Sequence, residues 1–91
     1  MSVTIGHITF DRVQYDADAD VLYLHVGEPS SAVDFDETAE GHAVRLDADG
    51  RVIGVTLVGA RRLLDEGGEL QVTLPVPERV PVGELRAALA A

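Results

Sequence analysis

Apolar and polar residues alternate most densely between Leu46 and Val58. There, Leu46-Asp47-Ala48-Asp49-Gly50-Arg51-Val52-Ile53-Gly54-Val55-Thr56-Leu57-Val58 sets two alternating runs around an Asp-Gly pair. Such a pair predicts a hairpin, because both central residues of a type I′ turn need positive φ and Gly and Asp tolerate that best. With Asp49 and Gly50 as the loop, Ala48 faces Arg51, Leu46 faces Ile53, Val44 faces Val55 and His42 faces Leu57. Opposed residues share a sheet face, so Val44, Leu46, Ile53, Val55 and Leu57 are expected to form one apolar patch. A slip of one residue would scatter that patch over both faces.

The rest of the chain extends this pattern. Val3 to Phe10 alternates with a change of phase at Gly6-His7, as a bulge or a frayed start would produce. Val13-Gln14-Tyr15 and Val21 to Val26 flank Asp16-Ala17-Asp18-Ala19-Asp20 and read as a second hairpin, with Leu22, Leu24 and Val26 inward and Val21, Tyr23 and His25 behind. Gly27-Glu28-Pro29-Ser30-Ser31 is a turn cluster. From Ala32 to Glu37 the alternation predicts Val33 and Phe35 buried and Asp34 and Asp36 exposed, and Thr38-Ala39-Glu40-Gly41 turns the chain back. Gly59 to Gly68 predicts one or two helical turns ended by glycines. Arg61 and Arg62 at its start and Asp65 and Glu66 at its end oppose the helix dipole, so docking of Leu63 and Leu64 must hold it. Leu70, Val72 and Leu74 predict a strand stopped by Pro75, followed by an extended Pro75–Val80. Pro81 can open a last helix with Val82, Leu85 and Leu89 on one stripe, too short to stand alone.

The expected fold is α+β: an antiparallel β-meander of five to six strands, a short helix after the central hairpin and a short C-terminal helix, in a single domain over 1–91. Tyr15 and Phe35 are expected in the core. The second sheet face, with Tyr23, Val52, Gly54 and Val58, is too apolar for plain solvent, so the terminal helices or another subunit should cover it.

Composition narrows the function classes. With 46% hydrophobic and 25% charged residues the chain is not of the disordered type. No run of 18 apolar residues is present and the N-terminus has no basic start with a long apolar core, so neither a membrane span nor a signal peptide is expected and the location is cytoplasmic. The absence of cysteine rules out disulfides and thiolate metal sites. Net charge is −9, with every base except the histidines an arginine. That surface repels phosphate backbones and suits a basic protein partner rather than nucleic acid or membrane.

Candidate chemistry adds little. Asp16, Asp18 and Asp20 begin like a calcium loop, but Val21 stands where the turn wants Gly and Gly27 where a bidentate Glu is needed; Asp47-x-Asp49-Gly50 fails likewise at Val58. Aspartates bonding their own turns account for both runs. His7, His25 and His42 match no zinc spacing, and neither a serine elbow nor a phosphate loop is present. The expectation is therefore a non-enzymatic protein-binding module without cofactor or metal, meeting its partner through Asp34, Asp36, Glu37 and Glu40. The alternatives are a homo-oligomeric module built on the second face, and a weak cation binder or small enzyme using the aspartate loops.

The runs Tyr15-Asp16-Ala17-Asp18-Ala19-Asp20-Val21-Leu22-Tyr23-Leu24 and Asp47-Ala48-Asp49-Gly50-Arg51-Val52-Ile53-Gly54-Val55 carry a resemblance. Together they resemble the domain of unknown function 2283 family, small bacterial proteins with a Tyr-Asp-x-x-Ala-Asp-x-Leu-Tyr hairpin followed by Asp-x-x-Gly-x-Val-x-Gly. The resemblance covers about residues 12 to 64, leaving the C-terminal strand and helix, 69–90, outside it. It implies a small sheet with a short helix, no established activity and no active site to carry over. Members are thought to be encoded beside small toxins, so it also implies an antitoxin-like partner.

Overall fold

The computed structural model describes residues 1–28, 32–74 and 76–90. Pro29 to Ser31 of the expected turn, and the strand stop at Pro75, lie outside the described residues. Nine strands and two helices are formed by the described residues: β1 (Val3–Ile5), β2 (Ile8–Phe10), β3 (Arg12–Asp16), β4 (Val21–His25), β5 (Asp34–Glu37), β6 (Ala43–Leu46), β7 (Val52–Val58), α1 (Ala60–Gly67), β8 (Leu70–Thr73), β9 (Pro77–Val80) and α2 (Val82–Ala90). The α+β class is the expected one. The layout is finer than a single meander: a five-stranded sheet of order β3-β4-β7-β6-β5 stands apart from two hairpins, β1-β2 and β8-β9, and every strand pairing is antiparallel. After β4 the chain crosses to the far edge, enters β5, and returns through β6 and β7 to pair with β4.

The phase change at Gly6-His7 is a chain reversal, not a bulge. Ile5 pairs Ile8 across a two-residue turn, with Gly6 at φ 60. Reversing direction there brings Val3, Ile5 and Phe10 to the same core.

The central hairpin forms, and Val44 does face Val55. Its turn, however, is wider than a two-residue I′ loop. The Gly50 N–H donates to the Asp47 carbonyl (3.0 Å) and the Asp47 N–H to the Arg51 carbonyl (3.0 Å), with Gly50 left-handed at φ 79. Asp47 reinforces the loop by accepting from the N–H groups of Asp49 and Arg51, both at 2.9 Å. The bonds from Arg51 lead in holding its pKa below the ordinary aspartate value. A type I turn closed by a left-handed glycine is the usual three-residue alternative. Leu46 consequently pairs Val52, not Ile53, and the register recovers through a bulge before Arg45 meets Gly54. Val52 packs against the core in place of Ile53.

One face of the five-stranded sheet presents Leu22, Leu24, Val44, Val55 and Leu57, with Val13, Tyr15 and Leu46 at the margin. Against it pack Val3, Ile5 and Phe10 of the first hairpin, Leu70, Val72 and Val80 of the last, Ala60 and Leu64 of α1, and Leu85, Ala88 and Leu89 of α2. Both helices therefore lie on the same side as the hairpins. The expectation that they cover the second face is overturned: their apolar stripes have one core to join, and the sheet already turns its larger side chains that way.

Three positions expected to be buried also differ from expectation. Val26 is at the surface, and so is Phe35, 67% exposed, with Val33 at 65%. The Phe35 reversal has a simple cause. Pairing Asp36 with Val44 puts the aspartates on the core side and Phe35 on the outer side. Alternation tells which residues share a face, not which face is inward, and at this edge the second layer leaves all four β5 residues exposed.

Candidate functional site

The first motif run closes a structural lock on the start of α1. Tyr15 and Asp20 stand at either end of the β3-β4 turn, and Asp20 takes a left-handed backbone, φ 56. Its Oδ1 accepts the Tyr15 hydroxyl at 2.7 Å and the Arg61 N–H at 2.8 Å, and its Oδ2 accepts the Arg62 N–H at 3.0 Å. The Asp20 carbonyl takes the Gly59 N–H at 2.8 Å. Helix α1 has Gly59 at its N-cap position and no acid in its first turn, so Asp20 supplies from a distant turn the cap that the local sequence lacks. Burial opposes the charge on Asp20, but the Tyr15 and helix N–H bonds outweigh it and hold the carboxyl below the usual aspartate range. The same bond raises the Tyr15 pKa above that of a free phenol. Asp16 accepts from the N–H groups of Asp18 and Ala19 at 3.1 and 3.2 Å. Asp16, Asp20 and Asp47 thus serve their own turns or α1. Among the described residues no three His, Asp or Glu gather to hold a metal ion.

The partner-surface candidates divide. Asp34, Asp36 and Glu37 line the exposed edge strand β5. Glu40 follows in the turn to β6, but its carboxylate accepts the Thr73 hydroxyl at 2.7 Å, the Thr73 N–H at 3.0 Å and the Gln71 amide at 3.4 Å. Those bonds, the Thr73 hydroxyl first, lower its pKa to about 2. Glu40 therefore ties the sheet to β8.

Along β5 the donors are arranged unusually. The Thr38 N–H reaches the His42 carbonyl at 2.7 Å, continuing the register of β5 and β6. Opposed residues alternate between bonded and non-bonded pairs, so Asp36 bonds inward while Phe35 and Glu37 aim their N–H groups out from the sheet. Each is met by the preceding side chain: Asp34 Oδ1 accepts from Phe35 and Asp36 Oδ1 from Glu37, both at 2.8 Å. The aspartates shield an edge that could otherwise pair with another strand. No ion pair involves Asp34, Asp36 or Glu37 among the described residues.

Two histidines are buried, which spacing alone did not reveal. His42 is 1% exposed, and its Nδ1 accepts the Val58 N–H at 3.1 Å, leaving Nε2 as the protonated nitrogen without a partner. Burial lowers its pKa, with Glu40 partly opposing. His25, 8% exposed, donates from Nδ1 to the Val26 carbonyl at 2.9 Å, and its Nε2 is buried and unpartnered. A Cβ on Gly54 would come within 2.9 Å of the His25 ring, so that glycine makes room for the histidine beside it.

In comparison with known proteins, the family model described as "Protein of unknown function (DUF2283)" matches residues 12–61. No curated protein and no solved structure matches the chain.

Proposed function

The chain belongs to the DUF2283 family of proteins of unknown function, and from that premise we propose that it is a non-enzymatic protein-binding module whose contact surface is the β5 edge. The observation that carries this reading is the shielding of Phe35 and Glu37 by Asp34 and Asp36. A neutral strand approaching this edge finds its donors taken and two carboxylates in the way. A strand bearing Arg or Lys at alternate positions draws those carboxylates off, frees the two N–H groups and lays an apolar residue beside the exposed Phe35. The partner is accordingly a basic protein, neutralised in the manner of an antitoxin. The net charge of −9 favours such an encounter at long range. In support of the non-enzymatic reading, three of the loop aspartates, Asp16, Asp20 and Asp47, already serve backbone N–H groups.

The test is co-purification from the native host, in parallel with a variant in which Asp34, Asp36 and Glu37 are all replaced by Lys. A basic protein retained by the original chain and lost by the folded variant is the expected result. Retention by both chains, or no basic protein with either, contradicts the reading.

A further inference from the structure

We propose that the outer face of the five-stranded sheet holds a site for a small oxyacid, a carboxylic acid or a phosphate monoester bearing one proton, carried on an apolar body and seated with its O–H on His25 and its other oxygen on Arg45. Cross-strand pairing aligns Arg12, His25, Gly54, Arg45 and Phe35 in one row over all five strands. Gly54 puts no side chain at the middle of that row. His25 and Arg45 converge over it, within 2.9 and 3.2 Å of where a Cβ would stand. A depression of about 590 Å³ opens there, and Gln14, Tyr23 and Thr56 of the neighbouring row also line it.

Three features mark this depression as a binding site rather than a wet sheet face. His25 is more than nine-tenths buried, and with Nδ1 donating to the Val26 carbonyl its remaining ring nitrogen is an acceptor without a protein partner, so it takes the proton-bearing oxygen of the ligand while Arg45 takes the other oxygens. A buried polar atom left unmatched in this way is uncommon, and at His25 the depression lies beside it. Arg45 forms no ion pair among the described residues, and its guanidinium lies 5.5 Å from the Phe35 ring centroid. That cation–π contact uses none of its N–H groups, which remain for a two-pronged contact with the ligand's oxygens. Finally, a chain of net charge −9 places three of its ten Arg and His residues in this row.

Asp11 also lines the depression, at the Arg12 end, where its carboxylate accepts the Gly27 N–H at 3.0 Å and Arg12 is paired with Glu28 at 2.9 Å. The ligand is therefore seated toward Arg45. The exposed Tyr23 ring lining the depression, with the exposed Phe35 ring beside Arg45, suits an apolar or aromatic body. The net charge disfavours a polyanion. This site lies on the sheet face and does not depend on the β5 edge binding a partner.

The experiment is an amide-shift titration of the full ¹⁵N-labelled chain with phenyl phosphate, benzoate and inorganic phosphate as separate arms, with sodium chloride matching ionic strength. The expected result is saturable shifts at His25, Arg45, Gly54 and Thr56 with phenyl phosphate or benzoate, at a Kd on the order of a millimolar or tighter. Whichever of the two binds more tightly identifies the oxyacid. Arg45→Gln, outside the core and expected to keep the melting temperature, should weaken binding about tenfold or more. Arg79→Gln, on β9, should leave it unchanged. No saturable shift in either aromatic arm, equal affinity in Arg45→Gln, or equal weakening in Arg79→Gln would overturn the site. Inorganic phosphate binding as tightly as phenyl phosphate would overturn the apolar body.

Discussion

Asp20 joins the first motif run to the start of α1. It caps α1 through two N–H groups and receives the Tyr15 hydroxyl, so one carboxylate fixes a turn, a strand end and a helix. Asp20→Ala should lower stability by about 1–3 kcal/mol, the combined range for a lost cap and for donors left unpaired. Urea unfolding would measure it, and Asp20→Asn, which keeps an acceptor, should lose less. From the sequence, Asp20 reads only as one of three turn aspartates. Nothing local shows that its partner lies some forty residues on, although the misdirected charges of α1 do show that its N-terminus needs help from elsewhere. The unmatched nitrogens of His25 and His42 were equally hidden, because burial on a particular face follows from strand order and not from spacing.

At the scale of elements, the central hairpin was legible and its turn was not. Asp-Gly with flanking alternation specifies a reversal, but a I′ loop and a type I turn with a left-handed glycine both accept it, and they differ by one residue of register. The bulge near Ile53 absorbs that residue, which is why Val44 and Val55 face each other in either case. Gly50 at φ 79 should tolerate alanine poorly: Gly50→Ala is expected to cost about 1 kcal/mol in thermal or urea melts. The tie from Glu40 to β8 makes a pH prediction. Its folded pKa, about 2, lies below the ordinary 4.5, so the ionised carboxylate stabilises the fold. That contribution is complete above pH 4.5 and fades as the pH falls toward 2. Glu40→Gln should melt lower at neutral pH and show a flatter pH dependence across that window. β5 was legible as a strand but misread in its facing, since an edge strand beyond the second layer alternates without burying either side.

For the molecule as a whole, one two-layer core accounts for the order of the parts. The five-stranded sheet contributes one apolar face, and two hairpins and two helices close over it, so the matched family region and the segments after it share a single interior. Leu57, fully buried on β7, should on replacement by Ala destabilise the whole chain by about 2–5 kcal/mol in a single unfolding transition. If residues 69–90 were an independent appendage, the transition would split in two. Leaving the outer face and the β5 edge uncovered is the result of this arrangement, and the binding reading rests on that edge. Amide hydrogen exchange tests it most directly, with the protein alone and with its captured basic partner. Alone, Asp36 should be protected by β6 while Phe35 and Glu37 exchange quickly. With the partner bound, Phe35 and Glu37 should slow markedly, whereas unchanged exchange in β5 beside new protection elsewhere would contradict the account.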